Sequence, residues 1–277
     1  MAGFLALAAT AIAEPLPIFD AHLHYNADSR ETYSPVAVIE ILNRAHVTRA
    51  LLSSTPNDGT RALYVAYPER FVPFLRPYRD DADRARWHGD VSLPAWLERH
   101  LADGGYRGIG ELHLTGAPKD TAVLKRVVAL AVQRDLILHA HADTAGIEAL
   151  YALDHNAKVL WAHAGMSEPP AQIERMLARY PTLTVELSLR DADIAPDGRL
   201  DAQWRALFRR HSDRFLLGTD TWTATRWNLV GINAESARRW LKQLTPAQAS
   251  AIAYRNAERI FPPPNPGAAA KNSHGQT

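Results

Sequence analysis

The stretch Arg134–Gly165, "RDLILHAHADTAGIEALYALDHNAKVLWAHAG", carries two short apolar runs, Leu136–Ala140 and Lys158–His163, on either side of a longer segment of helical period. Runs this short, bounded by polar residues and separated by a helix-length segment, read as neighbouring strands of a parallel sheet joined by a crossover helix. Both runs also end in imidazole, at His139, His141 and His163.

The same alternation extends along the chain. Six further runs can be read, Ile18–His22, Val47–Ser53, Phe71–Arg76, Gly105–Leu112, Leu183–Leu189 and Phe215–Asp220, making eight in all. Helix start signals lie between them: Ser34-Pro35, Ser92 with Pro94, Asp120, and Pro169-Pro170. Ser and Asp side chains accept hydrogen bonds from the unpaired N–H groups of a first turn, and proline suits its first position. Gly104 and Pro181 stand where two of these helices should stop. Eight strand–helix units, each roughly 30 residues long, predict an α/β fold, a closed (β/α)8 TIM barrel, as a single domain over residues 17–261. No Gly-rich phosphate fingerprint follows the first strand to favour an open doubly wound sheet. After the eighth strand, "NAESARRWLKQLTPAQASAIAYRNAERIF" reads as two helices separated by Thr245-Pro246, and residues 262–277, rich in Pro and Gly, read as a disordered tail.

Composition narrows the partners. The 31 basic and 30 acidic side chains leave a net charge of +1, with no charge block suited to nucleic acid, so a small-molecule substrate is expected. No apolar run reaches the roughly 18 residues of a transmembrane segment. Residues 1–16 end their apolar part in Ala11-Ile12-Ala13, a small-x-small pattern that suggests an export signal and a periplasmic or secreted protein. The basic leader of such a signal is missing, which leaves a flexible extension of a cytoplasmic protein as the alternative. A homo-oligomer is open. The absence of cysteine removes thiolates from any metal site, leaving imidazole and carboxylate, and twelve histidines are available.

Catalytic groups of a barrel stand at the C-terminal ends of its strands. Strand one ends in His22 and His24, strand four in Glu111 and His113, strand five in His139 and His141, strand six in His163 and strand eight in Asp220. Residues i and i+2 share a face of a strand, so His22 and His24 can grip one ion together. So many ionisable groups converging on one barrel mouth would be costly without a compensating cation. Nitrogen and oxygen donors make Zn²⁺ the expected divalent ion, one or two per chain.

This order of residues, with "VLWAHAGMSEPP", "RYPTLTVELSLR" and "DRFLLGTDTW", resembles the amidohydrolase superfamily, and within it the amidohydrolase-related branch of metal-dependent barrel hydrolases. The resemblance covers roughly residues 17 to 261. It implies that His22 and His24 bind metal, that Asp220 binds it and acts as base, and that His163 is a ligand or a catalytic imidazole. It implies one ligand on strand five, for which both His139 and His141 stand in position. Glu111 takes the place of a lysine that bridges two ions in many members, with a supporting role behind a ligand histidine as its alternative. The implied chemistry is attack of an activated water on an ester, lactone, amide or related bond. The same branch includes decarboxylases of aromatic or unsaturated acids, so lyase chemistry is the alternative. Tyr25, Arg76, Arg190, Trp222 and Trp227 follow strand ends and are the candidates for binding substrate.

Overall fold

A computed structural model describes residues 14–116 and 118–263. Most of residues 1–16, where an export signal was one expectation, and of the Pro-rich tail lie outside the described residues. Eight parallel strands follow one another in sequence order around a barrel: β1 (Ile18–Leu23), β2 (Val47–Leu52), β3 (Phe71–Leu75), β4 (Gly108–His113), β5 (Ile137–His141), β6 (Lys158–Trp161), β7 (Leu183–Glu186) and β8 (Phe215–Leu216). Each is followed by a helix packed outside: α1 (Pro35–Arg44), α2 (Asp58–Ala66), α3 (Leu93–Ala102), α4 (Ala122–Gln133), α5 (Thr144–Leu153), α6 (Pro170–Arg179), α7 (Ala202–His211) and α8 (Val230–Leu241). None of the described helices is long and apolar enough to cross a membrane.

Local chemistry explains most boundaries. Ser34 caps α1 by accepting from the Ala37 N–H, with Pro35 in the first turn. The cap of α4 is Thr121, which accepts from Leu124 N–H, one residue beyond the expected Asp120. β4 starts at Gly108 and not Gly105, because Gly104 and Gly105 hold positive φ and end the preceding segment. β8 pairs with β7 over two residues only, so it stops short of the expected Asp220. The chain beyond it turns to β1 instead: Ala21 N–H donates to Leu217 O at 2.7 Å and Asp220 N–H to His22 O at 2.8 Å, which joins the last strand to the first.

The two ends of the barrel differ in content. At the N-terminal end Phe19, Leu51, Val72, Phe74, Leu160 and Leu216 fill the interior, and Phe261, from the end of the chain, closes it. The Phe261 ring stacks on Phe19 at 6.0 Å and meets Phe74 edge-on at 5.7 Å. A Cβ on Gly108 would lie 2.1 Å from the Phe74 ring, so glycine is what lets that ring into the barrel. Two hydrogen bonds from the Asn256 side chain, to Ser212 O and Phe215 O, tie this closing segment beneath β8. At the C-terminal end polar groups replace the apolar plug.

Two irregularities aim those groups. β1 pairs with β2 at Asp20↔Ala50 and next at Leu23↔Leu52, and β4 pairs with β5 at Gly110↔His139 and next at Leu112↔Ala140. In each case one extra residue is inserted, a bulge that re-aims the side chains beyond it. The bulges fall at His22 and at Glu111.

Candidate metal centre

His22, His24, Glu111, His163 and Asp220 converge at the C-terminal mouth, and all five are buried. His22 Nε2 and His24 Nε2 lie 3.1 Å apart. Glu111 Oε2 is 3.6 and 3.4 Å from those two nitrogens, and Asp220 Oδ1 is 3.7 and 3.4 Å from them. His163 and Asp220 hold left-handed backbone, with φ of 56° and 54°. Non-glycine residues rarely adopt that conformation, and such strain concentrates at functional sites.

The hydrogen bonds behind the imidazoles assign their tautomers. Glu186 is an acceptor only, so His22 donates to its Oε2 from Nδ1 at 2.9 Å and points its Nε2 into the mouth. His24 donates from Nδ1 to the Ser53 carbonyl at 2.5 Å and presents its Nε2 likewise. Ser188 Oγ donates to Glu186 at 3.0 Å, so it accepts from His163 Nδ1 at 2.8 Å, and a third Nε2 faces inward. Glu186, whose side chain is wholly buried, thus sets the orientation of two histidines. Its position is confined from the far side by Gly218, where a Cβ would fall 2.2 Å from Glu186 Oε1.

A cation fits this arrangement. Two Nε2 atoms at 3.1 Å need a proton or a metal ion between them, and Asp220 Oδ1 is buried with no hydrogen-bond partner among the described residues. Four donors about 2.0–2.2 Å from a tetrahedral zinc stand roughly 3.3–3.6 Å from one another. The separations that involve His22 or His24, from 3.1 to 3.7 Å, bracket that range.

Electrostatics agree. Burial favours neutral His22, yet Asp220, Glu111 and Glu186 outweigh it and hold its pKa well above the usual value. Burial would raise the Asp220 carboxyl, but His22 and His24 bring it down to about 2. Glu111 is likewise held well below the carboxylate range, against burial, by His113 and His22. Asp20, beneath β8, is pushed up to about 7 by burial although Thr219 and the His22 N–H bond to it.

The remaining sequence candidates separate. His141 donates from Nδ1 to Glu111 Oε1 at 3.0 Å and stands at the mouth, stacked on His113. His139 lies deeper, its ring edge-on to His22 at 4.4 Å and to Phe74 at 6.3 Å, with both nitrogens unpartnered among the described residues. The described groups of three mutually close donors are His22–His24–Glu111, His22–His163–Glu186 and Glu111–His113–His141, so His141 joins one through Glu111, and neither His139 nor Asp220 does. Burial, then the positive neighbour His22, holds the His139 pKa well below its usual value, so the ring is neutral. Arg76 donates to Glu111 Oε2 at 2.7 Å.

Three of the expected substrate contacts have other work. Tyr25 donates to Tyr33 O and packs on Trp227, which is itself fully buried. Arg190 directs its guanidinium at the carbonyls of His163, Ala164 and Glu168, bracing the turn after β6. Trp222 does face open space, and the buried Arg76 borders the same cavity of about 400 Å³, together with Asn26, Tyr78 and Arg84. Glu186 is the residue that sequence reading passed over. "LTVELSLR" gives it the look of one alternating strand position among several, although a carboxylate at the end of an apolar run was the available signal.

The amidohydrolase family model matches residues 19–262, so the chain belongs to that family. No curated protein matches it. Among solved structures it is similar to an amidohydrolase from Burkholderia multivorans, crystallised with bound HEPES, at 18% identity and a TM-score of 0.58, over 90% of this chain and 100% of that one. A probable 2-pyrone-4,6-dicarboxylic acid hydrolase from Acinetobacter baumannii, with citric acid bound, matches at 16% identity and a TM-score of 0.60, over 88% of this chain and 98% of that one. A TatD homolog from Escherichia coli K12 matches at 17% identity and a TM-score of 0.60, over 88% and 97%. At these identities the likeness extends to the fold.

Proposed function

We propose that this member of the amidohydrolase family is a metal-dependent hydrolase of an ester, lactone, amide or related bond in a small organic substrate. The observation that carries this reading is the convergence of His22 Nε2, His24 Nε2, Asp220 Oδ1 and Glu111 Oε2, each imidazole already held in the tautomer a cation needs. These four atoms would hold the ion, and Zn²⁺ suits the donor set. When bound, a divalent ion supplies Lewis-acid polarisation of a carbonyl and a water nucleophile at neutral pH.

The chain's own groups do the rest. Asp220 is ionised, and with its Oδ1 in the donor group its other oxygen accepts the proton of the attacking water and returns it to the leaving group. The left-handed turn at residue 220 fixes the carboxylate for this task. His163, held from behind by Ser188, offers a basic nitrogen on the other side of Glu111, at 3.4 Å from its Oε1. The cavity lined by Trp222 and Arg76 admits a small molecule next to these groups and supplies one aromatic face for it.

The test uses a panel of esters, lactones and amides. Metal-loaded protein should hydrolyse a member of the panel, lose that activity after chelation and recover it with Zn²⁺. Asp220→Asn should retain fold and metal while kcat falls by on the order of 10² or more, the usual share of general acid–base catalysis. Near-normal turnover by that variant would remove Asp220 from the mechanism. Release of CO₂ from an aromatic carboxylate, with no hydrolysis, would assign the site to lyase chemistry.

A further inference from the structure

The end of the barrel away from the metal centre carries a cavity of about 540 Å³, larger than the one at the mouth. Its walls come from residues at or just before the starts of the strands: Arg107 ahead of β4, Ile137 in β5, Lys158 in β6 and Arg214 ahead of β8. The closing segment adds Arg259, Ile260 and Phe261. Four cations therefore border this space, against the two carboxylates of Asp135 and Asp213.

The cations are poorly matched by charge. Lys158 meets Asp135 at 2.5 Å. Arg214 donates from Nε and Nη2 to the carbonyls of Leu183 and Tyr180, and Arg259 donates to the Asp213 carbonyl, so backbone dipoles are what these two guanidinium groups hold. Among the described residues neither of them, nor Arg107, has a carboxylate partner. Exposed arginines elsewhere are handled differently: Arg126, Arg179 and Arg210 each meet a glutamate. Burial pulls the Arg214 pKa down, and Arg259 adds to that against Asp213 and Tyr151, which places the two guanidinium groups within electrostatic reach of each other. Three such groups in one concavity repel one another and focus a positive field into it.

We propose that this cavity is a second binding site, for a small organic anion that carries two or more negative groups on a planar apolar body. The excess of two positive charges in the lining sets the sign and multiplicity of the ligand. Guanidinium groups meet carboxylate or phosphate through paired hydrogen bonds, which is the recognition that Arg107, Arg214 and Arg259 can supply. Ile137, Val159, Pro181 and Phe261 give the body an apolar surface, and the volume falls within the usual range of ligand pockets. A ligand that touches both Arg107 and Arg259 links the closing segment to the start of β4 and stabilises the fold from below. The site shares no residue with the metal centre, so it stands apart from the hydrolase reading.

The test is calorimetric titration and thermal unfolding of metal-loaded protein with two probes. One is benzene-1,3,5-tricarboxylate, whose carboxylates stand too far apart to chelate a single ion, and the other is adenosine 5′-monophosphate. At least one should bind at a single site and raise Tm, and the stronger of the two separates a polycarboxylate from a phosphate ester. Benzoate has the body without the charge and inorganic phosphate the charge without the body, and each should bind at least about tenfold more weakly. Arg107→Gln and Arg259→Gln should each weaken the probe by about tenfold or more, the share of a charge-assisted hydrogen bond, while Arg107→Lys should bind more tightly than Arg107→Gln. Both glutamine variants should keep the metal content of the parent. Arg107 has no side-chain bond to lose among the described residues, so its variants decide if Arg259→Gln fails to fold. No binding of either probe, binding that Arg107→Gln leaves unchanged, or inorganic phosphate binding as tightly as the probes would overturn the inference and leave the metal-dependent reading intact.

Discussion

The two ends of this barrel are built from the same eight strands to opposite rules. At the N-terminal end the interior is filled by apolar side chains, among them Phe19, Phe74 and Phe261. At the C-terminal end β1 and β4 are bulged, His163 and Asp220 hold left-handed backbone, and three carboxylates and five imidazoles crowd together, with unpartnered buried atoms on His139 and Asp220 among the described residues. Each irregularity at the mouth is one that packing alone would remove. They persist because the closed and well-packed lower end over-determines the strands that carry them. Stability and chemistry are thus separated along the barrel axis, and each can be perturbed without the other.

The largest expected effect of breaking this division comes from below. Phe261→Ala takes a buried aromatic side chain out of the plug and should cost roughly 3–5 kcal/mol of stability, as such truncations do. Below the unfolding transition the variant should keep the metal affinity and kcat of the parent. Denaturant unfolding followed by kinetics on the folded variant checks both halves, and a selective loss of activity would show that the two ends are coupled. From above, Glu186→Gln leaves the plug untouched but weakens the anchor of His22 and, through Ser188, of His163. Metal affinity should fall by about 10–100-fold, typical of groups that orient a ligand histidine, with a far smaller change in melting temperature. Equilibrium titration with Zn²⁺ measures it, and unchanged affinity would remove Glu186 from the metal centre.

The same division explains what the sequence disclosed. Regular features read well: apolar runs separated by helical segments gave eight strands, and side-chain parity put His22 with His24 and His139 with His141. Depth did not follow from parity. His139 and His141 share a face, but one is sealed against Phe74 and the other stands at the mouth beside Glu111. The bulges at His22 and Glu111 carry no local signature, since an inserted residue looks like any other in an apolar run. Residues after strand ends were the least legible. Tyr25, Arg190 and Trp227 fold back into packing and backbone contacts, because the direction a loop takes is set by distant partners such as Tyr33 and Glu168. Glu186 was hidden for the converse reason. Its importance lies in what it does to His22, 164 residues away in the chain.

The central claim is that four named atoms at the mouth hold a divalent ion. A crystal structure of the zinc-loaded protein, with anomalous differences recorded across the zinc edge, tests it most directly. We expect a strong peak within about 2.0–2.2 Å of His22 Nε2, His24 Nε2, Asp220 Oδ1 and Glu111 Oε2. A peak elsewhere in the chain, or none at that position in fully loaded protein, would contradict the account.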